Sequence, residues 1–198
     1  MIHEIENIGL LRQQAFEIIE QEGPAGNRRR PNGQDWTITD ICVLRDWMNK
    51  SIRYQRDPVT HGVRQELTGP TRLLQTRAED CEDHAMLFGS LAQMLGAYCR
   101  LVVANGNGCH AFTELYVGHY DEVNIALIES EVRAYHQYRS ELLGIPVNAF
   151  IFSSGSGLPG GWFLDARDQA QCDGPRSYYR FDWTGVAHYQ TQDGHVFV

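Results

Sequence analysis

The segment from Cys81 to Leu95 constrains the fold most strongly, because apolar residues surround nearly the whole circumference of the helix it would form. These residues are Ala85, Leu87, Phe88, Leu91, Ala92, Met94 and Leu95. A helix that is apolar on all sides is buried in a protein core. Asp80 suits the N-cap position, and Gly96 suits the position after the last turn. The sequence therefore predicts a central buried helix with Cys81 in its first turn.

The segments on either side of this helix indicate an α+β fold. The other predicted helices cover residues 4–21, about 39–54 and about 121–143. The predicted strands cover residues 100–104, 110–117, 147–152, 162–165, 178–183 and 195–198. Thr37 or Thr39 caps the second helix, and the turn at residues 105–108 joins the first two strands as a hairpin. Helices that precede an antiparallel sheet are typical of the α+β class.

The composition is that of one compact domain, residues 1–198. Hydrophobic residues make up 42% of the chain and charged residues 21%, as in ordinary globular proteins. The net charge of -8 repels nucleic acid and anionic membranes, so neither is an expected partner. The sequence has no apolar run of membrane-spanning length and no signal-peptide pattern. We expect a cytoplasmic protein, in which the five cysteines stay reduced.

Three residues have the chemistry of a nucleophile, a base and an orienting group: Cys81, His110 and Asp165. The N-terminus of a helix stabilises a thiolate, and a neighbouring imidazolium stabilises it further. The N–H groups of the same helix turn can bind an oxyanion. His110 is predicted on a strand and Asp165 at the end of another strand, where the carboxylate can fix the imidazole tautomer. The spacing alone does not identify a catalytic triad.

Three ordered blocks make the case stronger. They are Glu79–Ala85, His110–Val117 and Trp162–Asp165. Together they resemble the transglutaminase-like superfamily, in which an acidic residue precedes the cysteine, a histidine opens a strand, and a strand containing tryptophan ends in aspartate. The resemblance covers about residues 37–168, preceded by an N-terminal helix and loop at residues 1–36. Residues 119–160 are interpreted as an insertion, because the interval between histidine and aspartate is long for the family.

The resemblance implies a papain-like transglutaminase core in which N-terminal helices and a central nucleophile helix pack on an antiparallel sheet. It also implies a cysteine-dependent acyl-transfer enzyme that acts on amide bonds of a peptide or protein, with Cys81, His110 and Asp165 as the triad and no cofactor. Protease or peptidase activity is the main hypothesis. Transglutaminase or deamidase activity on protein glutamine is an alternative. The sequence does not define an oligomeric state.

The sequence departs from the family around the nucleophile. Glu79 stands where the family usually has glycine, and Asp80, Glu82 and Asp83 add three more carboxylates next to Cys81. Nearby carboxylates raise the pKa of a thiol. We expect these side chains to cap the helix or to face outward, so that His110 and the helix terminus control the ionisation of the thiol. The second oxyanion donor is left open between Gln75, Tyr54 and Trp47.

Two further hypotheses involve other classes of protein. Cys81, His84, Cys109 and His110 offer four zinc ligands, but adjacent strand residues point to opposite faces, which disfavours a shared ion. His84 is interpreted as a hydrogen-bonded structural residue. The chain could also be an inactive relative that binds a protein partner, although a complete triad argues against that.

Overall fold

The computed structural model describes residues 2–24, 36–55, 67–106, 108–119, 123–144, 189–190 and 195–197. The helices are α1 (Ile2–Glu22), α2 (Ile38–Ser51), α3 (Pro70–Thr76), α4 (Cys81–Met94) and α5 (Ile125–Leu143). The strands are β1 (Arg53–Tyr54), β2 (Ala78–Glu79), β3 (Cys99–Gly106), β4 (Gly108–His119), β5 (Tyr189–Gln190) and β6 (His195–Phe197). The strands predicted at residues 147–152, 162–165 and 178–183 lie outside the described residues.

The larger sheet has the order β3-β4-β6-β5, and its strands are antiparallel. The hairpin turn predicted at residues 105–108 is confirmed, since β3 and β4 pair up to Gly106 and Gly108. Helix α4 packs on β3 and β4, while α1, α2 and α3 pack against its other sides. The predicted α+β class and the central position of the Cys81 helix are therefore confirmed.

Helix α4 packs directly on β4, and small or apolar side chains of the strand face the helix. Alternate residues of β4 are buried towards the helix; they are Ala111, Thr113, Leu115 and Val117. Thr113 Oγ1 donates to the backbone oxygen of Ala85 at 2.6 Å. Gly89 allows the close approach, since a Cβ atom there would lie 3.4 Å from both Cys99 Sγ and Thr113 Oγ1. The helix ends as predicted, with Gly96 at a φ of 93°.

Helix α2 begins with a capping box. Thr37 Oγ1 accepts from the Asp40 N–H at 3.1 Å, and Asp40 Oδ2 accepts from the Thr37 N–H at 2.9 Å. Thr37 is thus the cap, and Thr39 is not. The predicted continuation of this helix to Tyr54 is wrong, because the helix ends at Ser51 and the chain becomes extended.

The segment after α2 forms a small parallel sheet that the sequence did not predict. Tyr54 pairs with Glu79, two residues before Cys81. The Gln55 N–H donates to the Glu79 oxygen at 2.8 Å. Helix α3 has Pro70 in its first turn, and β2 follows directly after it. This pairing brings Tyr54 to the start of α4.

Helices α1 and α5 complete the described core. Leu11, Ala15 and Ile18 of α1 are buried in the same cluster as residues of α2 and α4. Helix α5 packs on α2 and lies within residues 119–160, the range interpreted as an insertion. That interpretation and the proposed domain boundaries stay predictions. Within the described part of the chain, no helix has both the length and the apolar character needed to cross a bilayer.

Candidate active site

Cys81 is the first residue of α4, as predicted, and its side chain lies in a small buried cluster. The residue is 6% exposed and packs with Ala85, Ala111 and Tyr54. Asp80 occupies the N-cap with an extended backbone, but its side chain makes no capping hydrogen bond. Helix, strand β1 and strand β4 therefore meet at the thiol. The first-turn N–H groups of α4 give this position a partial positive charge.

The thiol hydrogen of Cys81 is held by the neighbouring carboxylate. Sγ donates to Glu82 Oε2 at 2.9 Å. Burial and this hydrogen bond raise the pKa of the Cys81 thiol to about 12, and the charges of Glu82 and Asp80 add to the effect. A backbone hydrogen bond from Ala111 lowers the pKa by a smaller amount. Among the described groups, Glu82 therefore has a larger effect on the pKa of the thiol than the backbone of Ala111. The expected control of the ionisation by His110 stays a prediction, because its side chain lies outside the described residues.

Two of the other carboxylates point into the protein, so they do not face outward, which was one of the two arrangements expected for them. Glu79 and Asp83 are both fully buried. Thr76 Oγ1 donates to Glu79 Oε1 at 3.4 Å, and the Thr68 N–H donates to Asp83 Oδ1 at 2.7 Å. Buried carboxylates require such partners. The hydrogen bonds of Glu79 and Asp83 therefore connect α3 and the residues before it to the start of α4.

The structure describes the backbone of the predicted base, His110, but not the predicted orienting residue, Asp165. His110 lies in β4, where its backbone pairs with Ala104 and directly precedes Ala111, which contacts Cys81. The backbone of the predicted base is therefore next to the predicted nucleophile. The side chain of His110 and the whole of Asp165 lie outside the described residues. Their roles stay predictions.

The three candidate oxyanion donors lie in different environments. Tyr54 packs against the cluster that contains Cys81. Gln75 is exposed on α3. Trp47 lies in the main hydrophobic core, where the Arg77 guanidinium carbon is 4.9 Å from its ring centroid. Tyr54 is the candidate that the geometry favours. Its position depends on the β1–β2 pairing, a contact that the local sequence pattern did not reveal.

His84 is a buried residue beside the candidate site. It is 1% exposed, and its ring centroid lies 6.1 Å from that of Tyr54. Burial lowers its pKa to about 4, although the backbone groups of Arg53 and Glu79 favour the charged form. Neither ring nitrogen makes a well-aligned hydrogen bond within the described part of the protein, which differs from the predicted hydrogen-bonded role. The ring is neutral at physiological pH.

The zinc hypothesis gains no support from these side chains. Asp80, Cys81 and Glu82 place three potential ligand atoms within 4.8 Å of one another. His84 does not join that group in the described residues. Cysteine and histidine, rather than two carboxylates, are the ligands typical of structural zinc sites. The side chains of Cys109 and His110 are outside the described set.

Part of the sequence matches a known protein family. The family model of the transglutaminase-like superfamily matches residues 33–125, a segment that includes Cys81 and His110 but ends before Asp165. No curated protein matches the sequence. Among solved structures, the chain is similar to a proposed cysteine protease from Cytophaga hutchinsonii, with 19% identity and a TM-score of 0.42. That similarity covers 56% of this chain and 34% of the other, so this chain spans about a third of that protein's length.

Proposed function

We propose that this chain, whose residues 33–125 belong to the transglutaminase-like superfamily, is a cysteine-dependent hydrolase of amide bonds in peptides or proteins. Membership of the superfamily supports a cysteine-dependent enzyme in general. The observation that carries the finer proposal is the position of Cys81 at the N-terminus of a buried helix, next to the backbone of His110. A buried structural cysteine does not require that position.

The proposed reaction has two halves. In the first, His110 takes the proton of the Cys81 thiol while sulfur attacks the amide carbonyl carbon, and the C–N bond breaks as the proton passes to the leaving amine. In the second, water attacks the resulting thioester, His110 takes its proton, and the acid leaves as Cys81 recovers its hydrogen. Asp165 orients the imidazole of His110 throughout.

The described surroundings support the other requirements of this chemistry. The N–H groups at the start of α4 can stabilise negative charge that develops on a substrate oxygen, and the side chain of Tyr54 packs against the Cys81 cluster. The described neighbours of Cys81 raise the pKa of its thiol through burial and the hydrogen bond to Glu82. In the proposed reaction the base therefore removes the thiol proton as the sulfur attacks.

Mass spectrometry of peptide and protein libraries tests the proposal. Wild type should cleave amide bonds, whereas Cys81→Ala should lose turnover by a factor of about 10³ or more, since removing a nucleophile disables the whole unit. Cys99→Ala removes a thiol from the same region of the fold and should retain activity. The product masses also separate hydrolysis from loss of ammonia and from cross-linking.

Several outcomes would contradict the proposal. Cleavage that persists in Cys81→Ala would exclude Cys81 as the nucleophile. Loss of ammonia or formation of cross-links would replace the hydrolase with a deamidase or a transglutaminase. A folded wild type that changes no substrate but binds a protein partner would favour the inactive relative.

A further inference from the structure

Glu82 and Cys81 make a contact that helix geometry does not provide by default. Adjacent residues on a helix point in directions about 100° apart and do not normally face each other. Here the Glu82 carboxylate nevertheless lies 2.9 Å from Cys81 Sγ and accepts its hydrogen. The side chain of Glu82 has turned towards the thiol instead of extending into solvent.

A thiol has a single hydrogen and can donate it to one acceptor at a time. An ionised carboxylate is an acceptor only, and hydrogen bonds to a charged group are roughly twice as strong as neutral ones. While Sγ donates to Glu82, its only hydrogen is engaged in that bond. A histidine on β4 then has no proton to take.

We propose that Glu82 is a positioning residue that restrains the nucleophile: its carboxylate holds the Cys81 hydrogen in the resting enzyme, and this hydrogen bond has to break before the base acts. The inference rests on the proposed role of Cys81. Entry of substrate or protonation of Glu82 releases the thiol. The reaction then proceeds with the base as the proton acceptor, and Glu82 takes no proton in the catalytic step.

The other groups around the thiol act differently. From its own helix, Asp80 affects the thiol through its charge, which is a smaller contribution than that of Glu82. Strand β1 contributes Tyr54, and the ring centroid of His84 lies 6.1 Å from that of Tyr54. Strand β4 contributes Ala111, whose backbone hydrogen bond favours the thiolate. Glu82 is therefore the described side chain whose removal should change the ionisation of Cys81 most.

Site-resolved alkylation with iodoacetamide across pH 6–10 tests this inference in the full chain. Glu82→Gln keeps the size of the side chain and removes its charge, and Glu82→Ala removes the acceptor altogether. Both should move the pH profile of Cys81 labelling to lower pH and raise its rate at pH 7 by about tenfold, the ratio that one unit of pKa produces. Glu141→Gln removes an exposed carboxylate from α5 and should leave the profile unchanged. Slow labelling of Cys99 in each variant verifies that the fold is intact.

The results separate this inference from the proposed function. An unchanged Cys81 profile in both folded Glu82 variants, or a profile moved to higher pH, would overturn the inference. Peptide cleavage that is lost in Glu82→Gln would also overturn it, because Glu82 would then take part in the chemistry. If wild type and both variants all cleave nothing, a lowered Cys81 profile in the variants would support the restraint and reject the hydrolase.

Discussion

The three described cysteines share the effect of burial but differ in the groups that surround the thiol. Cys42, Cys81 and Cys99 all have a raised pKa, and burial is the largest cause for each. In Cys42 the pKa reaches about 11 inside the helical core. Cys81 differs because its thiol donates a hydrogen bond to the Glu82 carboxylate, while a backbone hydrogen bond from Ala111 favours its thiolate. Because the two contacts have opposite effects on the pKa of Cys81, a change of the Glu82 side chain should change that pKa.

The burial of His84 should make the stability of the protein depend on pH. Burial lowers its pKa to about 4 in the folded protein, from the ordinary histidine value of 6.5 in the unfolded chain. As the pH falls below 6.5, the unfolded chain binds a proton that the folded chain excludes, so the free energy of unfolding decreases towards pH 4. The loss between pH 7 and pH 5 should be roughly 2 kcal/mol from this residue.

Urea unfolding of wild type and His84→Phe at both pH values measures this contribution. The variant should show a smaller decrease than wild type, whatever its absolute stability. His136, whose pKa is lowered to about 3, supplies a second decrease of the same sign that remains in the variant. Equal slopes in the two proteins would contradict the burial of an unprotonated His84.

At the scale of elements, the site is built by the close packing of α4 on the β3–β4 hairpin. Gly89 faces Cys99 and Thr113, and Cys99 Sγ donates to the Gly89 oxygen at 3.4 Å. A helix interior normally disfavours glycine by about 1 kcal/mol relative to alanine. The short helix–strand distance therefore explains why glycine occupies this turn.

Two substitutions at Gly89 distinguish close packing from helix propensity. Gly89→Ala should change the free energy of unfolding by less than about 1 kcal/mol, because its Cβ atom makes a tight but tolerable contact that offsets the gain in propensity. Gly89→Leu should destabilise the protein by about 1–3 kcal/mol through overpacking. Denaturant unfolding measures both. A stable Gly89→Leu variant would mean that space exists between α4 and the hairpin.

The elements that the sequence predicted are those with strong local signals. Helix α4 has apolar residues on all sides, the hairpin has an Asn-Gly-Asn-Gly turn, and α2 has a capping threonine. Helix α3 has only seven residues, too few for a periodic pattern. The β1–β2 pairing joins segments about 25 residues apart, so its effect on Tyr54 had no local signature. The inward direction of Glu79 and Asp83 likewise depends on partners from other segments.

At the scale of the whole molecule, α5 is joined to the core by a charged contact on α2. Asp46 Oδ2 accepts from Tyr135 Oη at 3.0 Å and lies 2.8 Å from Arg139 Nε. Lys50 lies 3.0 Å from the same oxygen. The side chain of Arg139 is only 6% exposed, so its positive charge is buried and is compensated by the carboxylate of Asp46. Contacts between residues about 90 positions apart were not predictable from the sequence.

Asp46→Ala should therefore destabilise the protein by about 3 kcal/mol, because it leaves the guanidinium of Arg139 buried without its counter-charge. Glu22→Gln breaks an exposed ion pair with Lys50 and should cost less than about 0.5 kcal/mol. Urea unfolding gives both values, and hydrogen exchange should show α5 losing protection first in Asp46→Ala. Uniform loss of protection in all helices would contradict a local role for Asp46.

Trapping the acyl-enzyme tests the central claim that Cys81 is the nucleophile. A wild-type reaction with a cleaved peptide is quenched in acid, and peptide mapping by mass spectrometry locates the bound acyl group. We predict a thioester on Cys81 that hydroxylamine removes and that is absent from Cys81→Ala. Turnover with no acyl group on Cys81, or with the acyl group on another residue, would contradict it.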